Sequence, residues 1–187
     1  MGEDSPRIQH LGRRFGAMIL ETHAFRGDET VVIRREGLLE IFRFLKEDAK
    51  LDFDFLADIT AVDYLGKKQP RFEVVYHLYS LRSHHRLRVK VPVLEDQPEI
   101  DSLTPLWKGA NWLEREVWDL FGIRFRGHPD LKRILLYEEF RGHPLRKDYP
   151  VNQRQPLVPE RPLAGTFVDA RSDDKLLQLK QKTEHGR

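Results

Sequence analysis

The stretch RFEVVYHLYSLRSHHRLRVKVPV, residues 71–93, holds two hydrophobic rhythms separated by a polar break. From Arg71 to Leu81 apolar side chains fall on both alternating faces, as in a central strand covered on two sides. From Arg86 to Val93 the alternation is strict. Leu87, Val89, Val91 and Val93 face one way and Arg86, Arg88 and Lys90 the other, the pattern of an antiparallel strand with one basic face. Ser83, His84 and His85 provide the hairpin turn between them. Pro92 has no N–H to give a ladder, which places the second strand at a sheet edge.

Upstream, Phe53 to Leu65 reads as a further strand ending at the Gly66 turn, and Thr30 to Arg34 as a short one. Between these two, Leu38, Ile41, Phe42 and Leu45 recur at helical spacing, so residues 37–48 form an amphipathic helix. The residues before 30 read as a polar start. Downstream, Asn111 can cap a helix in which Glu114 completes a capping box and Leu113, Val117, Leu120 and Phe121 make the apolar stripe. Gly122 ends it as a C-cap, and Arg115 and Asp119 sit opposite the stripe, one turn apart. In IRFRG, Arg124 and Arg126 project from one side of an extended segment.

From residue 137 the character changes. Five of the eleven prolines fall between Pro144 and Pro162, which excludes a long helix or a central strand. A domain over residues 1–136 followed by an extended arm over 137–187, with a short terminal helix near 172–182, is the organisation expected of a 187-residue chain.

Composition narrows the function. Charged residues make up 33% of the chain, yet the net charge is only +2, which argues against nucleic acid as the main partner. There is no cysteine, so this chain offers no thiolate nucleophile, disulfide or cysteine-held iron–sulfur cluster. Apolar runs stop far short of the roughly 20 residues that cross a bilayer. The amino terminus has no apolar signal core, and Pro6 stands where a myristoylation signal wants Ser or Thr. A soluble, cytoplasmic-type chain, peripheral to a membrane at most, is expected. No dinucleotide-binding or phosphate-loop glycine pattern, zinc-protease motif or nucleophile elbow is present.

The candidate metal ligands are His128 and His143, each in a GHP turn, with Asp130 and Asp148 nearby, or His77 with His84 and His85. A structural zinc site wants tighter spacing and usually thiolate, so turn histidines held extended by the next proline are the plainer reading. Glu114 and Glu116 are candidate acid–base carboxylates, but on one helix they point about 200° apart, and structural ion pairing is the simpler role. All three tryptophans, Trp107, Trp112 and Trp118, lie within twelve residues among Arg and Glu of mixed sign. Tryptophan and arginine anchor protein interfaces, and paired charges set register there.

The ordered series ERE at 114–116, DLFGI from Asp119, GHPDLKRIL from Gly127 and GHPLRKDYP from Gly142 resembles the 30 kDa (C-type) family of subunits of proton-translocating NADH-quinone oxidoreductase, respiratory complex I. FLADITAVDYL, RFEVVYHLYSL, RLRVKVPV and GANWLEREVWDLFG extend the likeness over residues 53–152. The resemblance implies an α+β domain with a mixed sheet packed with helices, followed by an extended proline-rich C-terminal arm. It implies a cofactor-free member of the hydrophilic arm, on the cytoplasmic face of the membrane. Such a protein packs on the D (49 kDa-type) subunit near the quinone site and on the B subunit, with FMN and iron–sulfur clusters on partner subunits. Trp112 marks the interface, and Glu114, Arg115, Glu116, Asp119, His128, Pro129, Asp130, Arg133, His143, Arg146, Lys147 and Asp148 match the signature stretches with structural and interfacial roles. Lys132 stands where arginine is common, which keeps the charge and loses the planar fork. The rival expectations are the equivalent subunit of a membrane-bound hydrogenase or of a ferredoxin- or F420-linked relative, a metal-dependent hydrolase built on His128, Asp130, His143 and Asp148, and a stand-alone adaptor.

Overall fold

In the computed structural model, which describes residues 5–158, the two rhythms of residues 71–93 become neighbouring antiparallel strands, β4 (Phe72–Tyr79) and β5 (Arg86–Val93), joined by the expected turn. They belong to a five-stranded sheet with β1 (Ile19–Phe25), β2 (Asp28–Ile33) and β3 (Phe55–Asp63), in the order β1-β2-β5-β4-β3. β2 runs parallel to β5 and every other neighbour is antiparallel, so the sheet is mixed. Three helices, α1 (Pro6–Phe15), α2 (Leu38–Glu47) and α3 (Ala110–Phe121), complete an α+β body, and β6 (Glu99–Asp101) pairs in parallel with β7 (Arg124–Arg126).

The strand alternation fixes which face is buried. Val31, Ile33, Leu87, Val89, Val91, Phe72, Val74, Tyr76 and Leu78 share one core with Leu11 of α1, Leu38, Ile41, Phe42 and Leu45 of α2, and Val117 and Phe121 of α3. Burying a side chain of this kind contributes about 1.5–3 kcal/mol each, so the helices are held by this shared layer. The opposite face of β5 presents Arg86, Arg88 and Lys90, as the sequence indicates.

Three local expectations need correction. Pro92 does not mark an edge strand, since β5 lies between β2 and β4. The β2 pairing covers only Arg88 to Lys90, so the missing N–H of Pro92 falls beyond the end of that ladder. The polar start contains α1 and β1. Ser5 caps α1, accepting from the Ile8 N–H at 3.4 Å, Pro6 follows at the first helical position, and Ile8 and Leu11 bury their side chains. β1 turns into β2 through Arg26 and Gly27, both at positive φ, a two-residue hairpin of the kind such backbones favour. Finally, α3 begins at Ala110 after Gly109 and has no side-chain cap, so Asn111 is inside the helix and Glu114 is free for another role. Gly122 ends α3 in the left-handed region, φ +77°, as expected.

After β7 the described residues contain no helix or strand. Among the expected arm residues, 140–148 are tied to the body by the contacts below. The expected terminal helix at 172–182 lies outside the described residues. Among the described residues no helix is long and apolar enough to cross a membrane.

Candidate functional site

Several of the signature residues lie on or against α3, which is packed on β3 on one side and covered on the other by residues from 128 onward. Asp119 is the anchor of that cover. It is fully buried, not on an exposed polar face. Its Oδ1 accepts from Arg133 Nη1 at 2.6 Å, and its Oδ2 from the backbone N–H groups of Ile134, Leu135 and Leu136 at 2.9–3.0 Å. Burial alone would raise its pKa, but the Leu136 N–H, the Arg133 guanidinium and the Ile134 and Leu135 N–H groups together hold it below the usual carboxylate value. A carboxylate that accepts three consecutive main-chain donors fixes the course of the chain it faces.

Arg133 extends the fixation. Its Nη2 donates to the Phe140 and Gly142 carbonyls at 2.9 and 3.2 Å, and its guanidinium lies 5.7 Å from the Trp118 and Phe140 ring centres. Arg115, one turn before Asp119, donates to the Lys132 and Arg133 carbonyls at 3.0 and 2.9 Å and stands 5.3 Å from the Trp112 ring centre. His143 Nδ1 donates to the Asp119 carbonyl at 2.9 Å, and burial lowers its pKa, which favours the neutral ring with its proton on Nδ1. His128 Nε2 donates to the Asn111 carbonyl at 3.1 Å while its Nδ1 accepts from the Asp130 N–H at 3.0 Å.

A second anchor, which spacing along the sequence does not reveal, is Arg71. Its side chain is buried and meets three carboxylates. The guanidinium grips Asp63 with two bonds, 2.9 and 2.7 Å, reaches Glu95 at 2.5 Å, and meets Asp148 in the cover at 2.9 and 3.0 Å. The Lys147 N–H donates to Asp63 Oδ2 at 2.8 Å, and Arg146 lies 5.1 Å from the Phe72 ring centre. Burial would raise the Asp63 pKa, but hydrogen bonds from Arg71, Lys147 and Leu65 bring it down to about 2. The three carboxylates raise the Arg71 pKa further above its ordinary value. A signal for the pair was present: an arginine just before one strand and an aspartate at the end of the strand it pairs with.

The remaining signature residues are apart from these anchors. Glu114 points inward and is fully buried, whereas Glu116 is exposed, in line with their separation around the helix. Pro129 and Asp130 are exposed, Asp130 pairing with Lys132 at 2.7 Å. His128 and His143 bind different carbonyls and Asp148 is held by Arg71, so the residues of the hydrolase alternative are not brought together. Among the described residues no group of three histidine, aspartate or glutamate side chains could hold a metal. Among its exposed residues are large apolar ones: Trp112 is 63% exposed, Leu135 61% and Leu145 48%. Trp107, by contrast, is a core residue that donates to the Asp54 carbonyl at 3.0 Å.

Residues 31–155 match the family described as respiratory-chain NADH dehydrogenase, 30 Kd subunit. The C-type subunit of NADH-quinone oxidoreductase from Geobacter sulfurreducens is 50% identical over 151 residues, 81% of this chain and 92% of the relative. The same-named protein of Roseiflexus castenholzii is 48% identical over 158 residues, 83% of this chain and 89% of the relative. Among solved structures, the trypsin-resistant fragment (1-134) of Nqo5 is 39% identical with a TM-score of 0.59, covering 67% of this chain and 99% of the fragment. A chain of the archaeal membrane-bound sulfane sulfur reductase shares the fold at 22% identity, with a TM-score of 0.64 over 78% of this chain and 84% of that one.

Proposed function

The chain belongs to the respiratory-chain NADH dehydrogenase 30 kDa subunit family, and from that membership we propose that it is the C-type subunit of an NADH-quinone oxidoreductase, acting by contact and not by carrying electrons. Supporting the second half, the sequence has no cysteine to hold a cluster. FMN and iron–sulfur clusters then reside on partner subunits. The partner we assign to the α3 surface is the D (49 kDa-type) subunit near the quinone site, with B beside it, on the cytoplasmic face of the membrane.

The observation that carries this reading is an exposed tryptophan on a surface made rigid from beneath. Trp112 projects from a helix whose covering segment is fixed through Asp119, Arg115 and Arg133. A preorganised aromatic anchor loses little freedom on binding, which is why such residues dominate interface energetics, at about 2 kcal/mol or more when truncated. Trp112→Ala, expressed in cells with the other subunits, should leave the chain folded and reduce recovery of the 49 kDa-type subunit with it. Undiminished recovery would place the partner on another surface.

A further inference from the structure

Glu114 lies on α3 facing the turn after β6 and is wholly out of solvent. Its Oε1 accepts from the Leu103 N–H at 2.6 Å, and its Oε2 is 2.6 Å from Ser102 Oγ. The neighbouring cations are engaged elsewhere. Arg115 binds the Lys132 and Arg133 carbonyls, Arg133 pairs with Asp119, Arg126 of β7 with Asp101, and Lys46 of α2 donates to the Leu106 carbonyl. Tyr76 of β4 lies within the field of Glu114 and also of Asp101 of β6, and Glu116 is turned to solvent. The Tyr76 hydroxyl is buried with no hydrogen-bond partner among the described residues, and burial together with the fields of Glu114 and Asp101 raises its pKa. An unpaired carboxylate in such a place is costly, because no counter-charge replaces the water it loses.

The hydroxyls around Glu114 can serve either protonation state. Ser102 Oγ is 2.8 Å from Thr104 Oγ1 and accepts from the Thr104 N–H at 3.1 Å. With Glu114 neutral, its O–H donates to Ser102 Oγ, and the serine proton points to Thr104 Oγ1. With Glu114 ionised, both hydroxyl protons swing round and the serine donates to the carboxylate. The Glu114 carboxyl and the Ser102 hydroxyl keep their partners in both arrangements, and burial, which penalises the charged form, favours the neutral one.

We propose that Glu114 is a buried proton-binding site: the folded chain holds a neutral carboxyl there, donating to Ser102 Oγ, and loss of that proton weakens the seating of α3 on residues 102–104. Burial pushes the Glu114 pKa up to about 7, against the lowering effect of the hydrogen bonds from Ser102 and Leu103. The folded state therefore binds more protons than the unfolded one between 4.5, the ordinary value, and about 7. The stabilising effect of the proton is complete below the lower value and lost as pH rises through the upper one. This is a property of the fold itself, whatever the chain assembles with.

The test compares the full-length wild type with Glu114→Gln, which keeps the shape of the neutral acid and a donor for Ser102. In urea unfolding, the folding constant of the wild type should fall relative to that of the variant by on the order of fifty-fold from pH 5 to pH 8. Infrared titration should find the carbonyl band of a buried protonated carboxyl at pH 6 in the wild type, absent from Glu114→Gln and shifted in Ser102→Ala. If Glu114→Gln does not fold, the wild-type band and its shift in Ser102→Ala still decide. Parallel pH profiles for the two proteins, or no such band at pH 6, would overturn the assignment.

Discussion

Arg71 shows how one residue can join distant parts of this chain. It sits eight positions from Asp63 and seventy-seven from Asp148, and holds both with charge-assisted bonds. Asp63 and Arg71 have side chains 0% and 1% exposed, so each depends on the other for the solvation it has given up. Arg71→Ala would strand the Asp63 charge out of water, and we expect a loss of about 3–5 kcal/mol in chemical unfolding. A loss below about 1 kcal/mol, the range of an exposed ion pair, would show that water replaces the guanidinium. Individual roles of this kind are only partly legible in sequence. Asp119 stands out as a signature residue, but its burial arises from a cover supplied fifteen residues later, which helical spacing on α3 cannot reveal. Arg71 and Asp63 become partners only through the β3–β4 register.

At the scale of elements, α3 is defined more by what lies on it than by its own caps. Gly122 has φ +77°, and a Cβ there would fall 2.7 Å from His143 Cδ2. Gly122→Ala therefore combines a left-handed backbone cost of about 1–2 kcal/mol with displacement of the imidazole that holds the Asp119 carbonyl. We expect a lower melting temperature and loss of that hydrogen bond, read from the His143 ring nitrogen shifts by NMR; an unchanged melting temperature would show that the turn relaxes freely. The strands of residues 71–93, α2 and the Gly122 stop are readable because each has an unbroken period or an unambiguous terminator. α1 is hidden because Gly12 and several arginines dilute a stripe that only Ile8 and Leu11 bury. The Asn111 cap fails for a different reason. The capping-box pattern is there, but the core draws the Glu114 side chain to Ser102 and Leu103, so tertiary packing overrides local preference.

For the whole molecule, the mixed sheet follows from the return of β2 beside β5, a long-range pairing that no local pattern specifies. The covering segment belongs to the same scale: residues 128–149 form no helix or strand of their own and are held by α3 and Arg71. If the surface so assembled positions partner subunits while electrons pass elsewhere, loosening it should cost assembly and spare chemistry. Arg133→Ala loosens it in one step, removing the ties to Asp119, Phe140 and Gly142 together. In membranes carrying this variant we expect a several-fold fall in assembled complex, with NADH–quinone turnover per assembled complex unchanged. Full assembly with lost turnover per complex would instead put this chain in the path of the electrons.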